Sequence, residues 1–185
     1  LIEQIGELFD EWALDKNIDY HIELPPELVG WFDKDKIEKI IFNLLSNAFK
    51  YTPKNGNIKL QFSMQGDSEK TLYLNVSNSG KGIPKEKLDS LFDRFFLTEA
   101  VDKSDTDLFR TGIGLAYVKK LVTVLGGDIN VVSRANKETN FTIKLPCNKE
   151  SFKENEWDSE GSQILISDYL KNILEETPNE SDAAF

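Results

Sequence analysis

The chain of 185 residues has one cysteine, one methionine, one histidine, and fewer basic than acidic side chains. The lone cysteine, Cys147, excludes an intrachain disulfide and suits a reducing cytoplasm, where such a thiol is a passive residue. No apolar run approaches the roughly 20 residues of a membrane-spanning helix, and no signal-peptide pattern opens the chain. With 22 Lys and Arg against 32 Asp and Glu, the formal charge of −10 argues against nucleic acid or an anionic membrane as partner. A nucleotide is not excluded, because a few local cations offset the general field. His21 falls on the polar side of an alternating run, and no catalytic or ligand constellation accompanies it. Leu1 begins in mid-helix pattern, as expected of a piece of a longer protein.

What is present centres on the run KIEKIIFNLLSNAFKYTP, residues 36–53. Ile37, Ile40, Ile41, Leu44, Leu45 and Ala48 recur at the spacing of one helical face. Asn43, Asn47 and Lys50 recur at three- and four-residue intervals and form a second line beside it. Two amide oxygens and an ammonium along one edge suit a hard cation and an anion. Taken alone, the helix favours solvated asparagines over a ligand site. Asp33 or Asp35 caps it, Asp35-x-x-Glu38 having capping-box form, and Pro53, Asn55 and Gly56 end it.

Around this helix the periodicities alternate. Residues 1–17 read as an amphipathic helical arm, either the end of an upstream helical segment or a piece packed on the domain. IDYHIEL, NIKLQFSMQ, TLYLNVSN, DINVVS and NFTIKLP alternate as half-buried strands. Pro84 opens a short helix carrying Leu88, Leu91 and Phe92, and LAYVKKLVTVLGG is a further helix closed by Gly126 and Gly127. Gly80 and Gly82 lie in a polar loop directly after the TLYLNVSN strand, where they let backbone approach a ligand. Residues 93–111 are a long aperiodic stretch, expected as a lid or binding loop. The lid leads through Gly112 and Gly114 into a helix N-terminus, a place where phosphates are commonly bound. One sheet with helices on one face follows, an α+β two-layer sandwich spanning 18–146. Residues 147–185 are expected to form an acidic linker and tail, with one short helix in ILISDYLKNILEETP.

The order of these pieces resembles the catalytic and ATP-binding domain of two-component sensor histidine kinases. That domain belongs to the GHKL superfamily, which includes DNA gyrase, mismatch-repair and heat-shock chaperone ATPases. IFNLLSNAFKYTP is similar to the family's N box and NSGKGIP to its first glycine box. LFDRFF is similar to its F box and TGIGLAYVKKLV to its second glycine box. The resemblance implies the GHKL fold, with a mixed, mostly antiparallel sheet and an ATP lid. It also implies that Asn43 and Asn47 bind Mg²⁺ and that Lys50 offsets phosphate charge. Tyr51 is then expected beside the nucleotide, Asn78 at the adenine amino group, and Gly80, Gly82 and Ile83 along the base. Arg94 is expected at the γ-phosphate, with Thr111, Gly112, Ile113, Gly114 and Leu115 lining the phosphates.

Two departures stand out. The family usually has aspartate at the position of Asn78, and often a glycine at that of Arg110. Asn43 stands where the ATPase branches carry a glutamate that activates water, and an amide cannot take that proton. The resemblance therefore implies presentation of Mg²⁺-ATP to a histidine on a helical dimerisation domain outside the fragment. A response-regulator receiver domain downstream is a further implied partner. The location implied is cytoplasmic, including the cytoplasmic part of a membrane-bound sensor, without membrane contact by this fragment. A serine kinase of the anti-sigma-factor type and a nucleotide-binding interaction module remain open as alternatives.

Overall fold

The computed structural model describes residue 9 and residues 12–26, 28–66, 70–93, 113–148 and 164–165. The central helix α1 spans Lys34–Tyr51. Its cap is Asp33, whose extended backbone lets the carboxylate accept from Lys36 N at 2.9 Å. Asp35 is already helical and contributes its charge to the first turn instead, so the expected capping box is not the start signal. Ile37, Ile40, Ile41, Leu44, Leu45, Ala48 and Phe49 are buried along one face. Each of the larger side chains stabilises the fold by about 1.5–3 kcal/mol through apolar burial. Helix α1 stops at Thr52, whose N–H and hydroxyl both donate to Ala48 O, at 3.0 and 2.6 Å.

Strands β1 (Asp19–Glu23), β3 (Asn57–Gln65), β4 (Thr71–Ser79), β5 (Asp128–Arg134) and β6 (Glu138–Pro146) form a five-stranded sheet in the order β1-β3-β4-β6-β5. Helix α1 makes the crossover that a parallel β1–β3 pair requires, and every other pair in this sheet is antiparallel. The period-2 alternation sends Ile58, Leu60, Phe62, Leu72, Leu74, Val76, Phe141, Ile143 and Leu145 inward. On the other face polar pairs occur, such as Thr142 donating to Asn75 at 2.8 Å. The short helix α2 (Lys85–Leu88) precedes Leu91, which is buried, and helix α3 (Gly114–Val124) shares the core cluster with α1. The result is the expected α+β two-layer sandwich with a mixed, mostly antiparallel sheet. Gly126, at φ +72°, turns the chain out of α3, and Gly127 N–H donates to Val122 O at 2.9 Å.

Described residues on either side of the sheet are tied to this core. Residues 12–16 are helical, and Phe9 and Ala13 are buried in the same cluster, so these residues of the N-terminal arm pack on the domain. The Phe9 ring stacks on Phe49 with centroids 4.8 Å apart. Towards the C-terminal side the core continues through Cys147. Cys147 N–H donates to Lys70 O at 2.9 Å and its carbonyl accepts from Trp31 N at 3.0 Å. Ile164–Leu165, expected to lie in a helix, is instead strand β7, antiparallel to β2 (Val29–Gly30). A short apolar run with β-branched residues does not distinguish helix from strand by periodicity, and an available partner strand decides between them. The remainder of that run, and residues 94–112, which hold all of the expected lid except Asp93, lie outside the described residues.

Burial pushes the Cys147 thiol up from 9.0 to about 11, against smaller opposing effects of a backbone hydrogen bond and Lys70. The folded state thus favours the neutral thiol. Its contribution to stability is complete below pH 9 and is lost as pH rises towards about 11. Cys147→Ala should show a smaller fall in melting temperature across that window than the parent chain. At pH 8 a thiol reagent should label the folded protein about a hundredfold more slowly than the urea-unfolded chain.

Candidate functional site

The inward positions of β4 and β6 are apolar until one end of the sheet. There Asn78 on β4 and Thr139 on β6 stand directly opposite one another in the register. Among the described residues, the buried polar side chains are Thr52, Asn78 and Thr139. Such groups are costly to bury without partners. Asn78 Nδ2 donates to Thr52 Oγ1 at 3.2 Å and to Ser79 O at 3.0 Å. Thr139 Oγ1 lies 2.9 Å from Ser133 Oγ, which donates to Glu138 O at 2.9 Å. Polar atoms are therefore gathered and partnered at the place where α1 ends and the strands meet the glycine loop.

That loop runs against α1 on one side and the β5–β6 turn on the other. Gly80 has φ +154°, and a Cβ there would lie 2.6 Å from Tyr51 O. Gly82, at φ +64°, sits so close to Arg134 that an added Cβ would collide with its carbonyl oxygen. Gly80 N–H donates to Lys137 O at 3.1 Å, Ile83 N–H to Ser133 Oγ at 2.8 Å, and Asn136 N–H to Lys81 O at 2.8 Å. Close approach on both sides requires glycine here.

Asn43 lies on α1 one helical turn before Asn47, with Lys50 and Tyr51 a further turn along. Its Nδ2 donates to Lys39 O at 2.7 Å, which leaves the amide oxygen to face outward. That oxygen lies 2.8 Å from where a Cβ on Gly114 would be, so it meets the first residue of α3. The amides of the first α3 turn lack intrahelical partners and carry the positive end of the helix dipole. Ile113 precedes them half-exposed, and Leu115 packs partly into the core. Lys50 Nζ lies 5.6 Å from the centroid of the exposed Tyr51 ring.

The structure thus brings Asn43 to Gly114, Tyr51 to Gly80, and Asn78 to the same helix end. Gly82 and Ile83 follow on the adjoining loop. Arg94, Thr111 and Gly112, like Arg110, lie outside the described residues. His21 is elsewhere, exposed on edge strand β1 with Nε2 2.8 Å from Asp19 Oδ1. Sequence reasoning missed Thr52, Thr139 and Ser133. A detectable signal existed for Thr139, a polar residue at an inward position of an otherwise apolar alternation.

A layered sandwich with an amide-bearing helix, a glycine loop at its end and a second helix opening beside it has the form of a nucleotide-binding ATPase domain. Residues 32–149 match the histidine kinase-, DNA gyrase B-, and HSP90-like ATPase family, and the chain belongs to that family. It is 37% identical to the sensor histidine kinase WalK of Bacillus subtilis over 80% of its length, which is 24% of that relative. It is 34% identical to hybrid signal transduction histidine kinase D of Dictyostelium discoideum over 78% of its length and 9% of the relative. The chain therefore spans a quarter or less of these relatives. The catalytic domain of histidine kinase ThkA superposes with a TM-score of 0.66 at 29% identity, covering 82% of this chain and 93% of that one. The resemblance seen in the motifs and the fold it implied are upheld.

Two glycines separate backbone strain from close approach. Gly126→Ala, where the nearest atom to a new Cβ is Pro146 Cγ at 3.6 Å, should cost about 1–2 kcal/mol of unfolding free energy. Gly82→Ala has the same strain and also the collision with Arg134 O, and should cost about 3 kcal/mol or more. Urea unfolding of the two variants gives both numbers.

Proposed function

We propose that the chain binds Mg²⁺-ATP and presents the γ-phosphoryl group to a histidine on a helical dimerisation domain outside this chain, in two-component signalling. The observation that carries this reading is Asn43 Oδ1 turned towards the first residue of α3. With Nδ2 held by Lys39 O, Asn43 offers an oxygen, the donor that a hard cation takes. Asn43 and Asn47 would hold Mg²⁺, directly or through water. When bound, that ion draws phosphate oxygens together and offsets their charge.

The remaining roles belong to the chain's own groups. Lys50 places an ammonium near the phosphates, and the backbone of Ile113, Gly114 and Leu115 offers N–H groups at the start of α3. Tyr51 covers one side of the nucleotide. Asn78 accepts from the adenine amino group while Gly80, Gly82 and Ile83 pass along the base. Arg94 reaches the γ-phosphate, and Thr111 and Gly112 belong to the lid that closes over it. Transfer on this reading rests on positioning and electrostatics, with no general base at position 43, which is an amide. A receiver domain downstream would be the next phosphoryl acceptor, and the cytoplasm the location. One observation favours a second reading, a nucleotide-binding interaction module without transfer: Asn78 lacks the charge that an aspartate would lend to adenine binding.

Calorimetric titration with ATP, with and without Mg²⁺, tests the binding step. Absence of binding at millimolar ATP removes the reading. Asn43→Ala should weaken binding in Mg²⁺ about tenfold or more and leave Mg²⁺-free binding nearly unchanged. Gly114→Ala, by displacing Asn43 Oδ1, should have the same sign with an unaltered melting temperature. Labelled phosphate appearing on an added histidine-bearing dimerisation domain separates the kinase from the interaction module.

A further inference from the structure

We propose that Thr52 is a positioning residue that makes the buried end of the site an all-acceptor surface, selecting a purine with an exocyclic amino group over a 6-oxo purine. This rests on the nucleotide reading above and specifies how the base is chosen. The inference comes from accounting for each proton in the cluster. Thr52 Oγ1 gives its proton to Ala48 O at 2.6 Å, so towards Asn78 it has only a lone pair to offer. Asn78 Nδ2 then spends both hydrogens inside the protein, on Thr52 Oγ1 and on Ser79 O, a carbonyl that accepts only. Reversing the amide would set Oδ1 against two acceptors. Among the described residues no donor reaches Asn78 Oδ1, which is left as the atom offered to a ligand.

Thr139 adds a second acceptor by the same logic. Ser133 Oγ gives its proton to Glu138 O and accepts from Ile83 N–H. The 2.9 Å contact with Thr139 is therefore made by the Thr139 proton, which leaves the lone pairs of Thr139 Oγ1 available. Thr139 is directly across the ladder from Asn78, so the two side chains share a face as neighbours. Both groups are neutral, and no protonation converts either into a donor near neutral pH. An amino group at purine position 6 brings hydrogens to such a surface. A 6-oxo group brings another acceptor, and its lone pairs face those of Asn78.

The test compares ATP with inosine triphosphate, each with Mg²⁺, on the full chain. The unaltered protein should bind ATP about tenfold or more tightly than inosine triphosphate. Thr52→Val should lower that ratio at least about threefold by weakening ATP, because the amide loses one of the two acceptors that orient it. Thr52→Ser, which keeps the oxygen, should restore the ratio. A merely structural role for Thr52 would weaken both nucleotides alike and leave the ratio unchanged, which overturns the proposal. Equal binding of the two nucleotides by the unaltered protein also overturns it while leaving the nucleotide reading intact. Failure to bind ATP at all removes that reading and this inference together. Melting without nucleotide checks folding, and Thr52→Ala, which removes the same oxygen, serves if Thr52→Val does not fold.

Discussion

A helix that ends inside a protein must find partners for its last carbonyls. In α1 this constraint is met at Thr52, whose N–H and hydroxyl both go to Ala48 O. The same hydroxyl accepts from Asn78 Nδ2 on β4, so closing the helix and anchoring the strand end are one event. Gly80 then passes close to Tyr51 O, and Gly82 close to Arg134 O on the β5–β6 side. The loop's position thus depends on where α1 stops. Were the helix one residue longer, Thr52 would rotate by about 100° and its hydroxyl would leave Asn78.

Packing holds that helix end from the opposite side. Phe49 stacks on Phe9, and its ring centroid lies 6.4 Å from that of Trp12 and 5.1 Å from that of Tyr20. Lys16 Nζ donates to Phe49 O at 2.9 Å, and Asn55 N–H to Lys16 O at 3.0 Å. The N-terminal helical segment is therefore bonded to the last turn of α1 and to the turn that follows it. Aromatic contacts of this kind are worth about 0.5–1.5 kcal/mol each beyond area burial. They fix the helix end without occupying the edge that carries Asn43, Asn47 and Lys50.

The acidic charge of the chain and its proposed ligand are compatible because the cluster works locally. Asn43 and Asn78 carry amides, which are neutral at any ordinary pH. At Asn78 the amide supplies direction without charge. An amide has one accepting end and one donating end, and the cluster around Asn78 determines which end is shown.

Much of the fold was legible in the residues. Periods of 3.6 and 2 marked α1, α3 and the strands of the main sheet, because burying one face leaves a regular apolar pattern. The motifs around Asn43, Gly80, Gly82 and Gly114 marked the candidate site, since glycines and amides are needed there for reasons local to the chain. The tail was not legible: Ile164–Leu165 pairs with Val29–Gly30, residues more than a hundred positions away. Nor was the choice of Asp33 over Asp35 as the cap, which depended on backbone conformation, or the parts played by Thr52, Ser133 and Thr139. A sequence lists donors and acceptors without saying which proton goes to which lone pair. That pairing exists only once α1, β4, β5 and β6 are brought together. Sequence alone determined the elements and the chemistry available along them. Tertiary structure decided which atoms of that chemistry are already engaged and which remain to be offered, because hydrogen bonds depend on distances between residues that lie far apart along the chain.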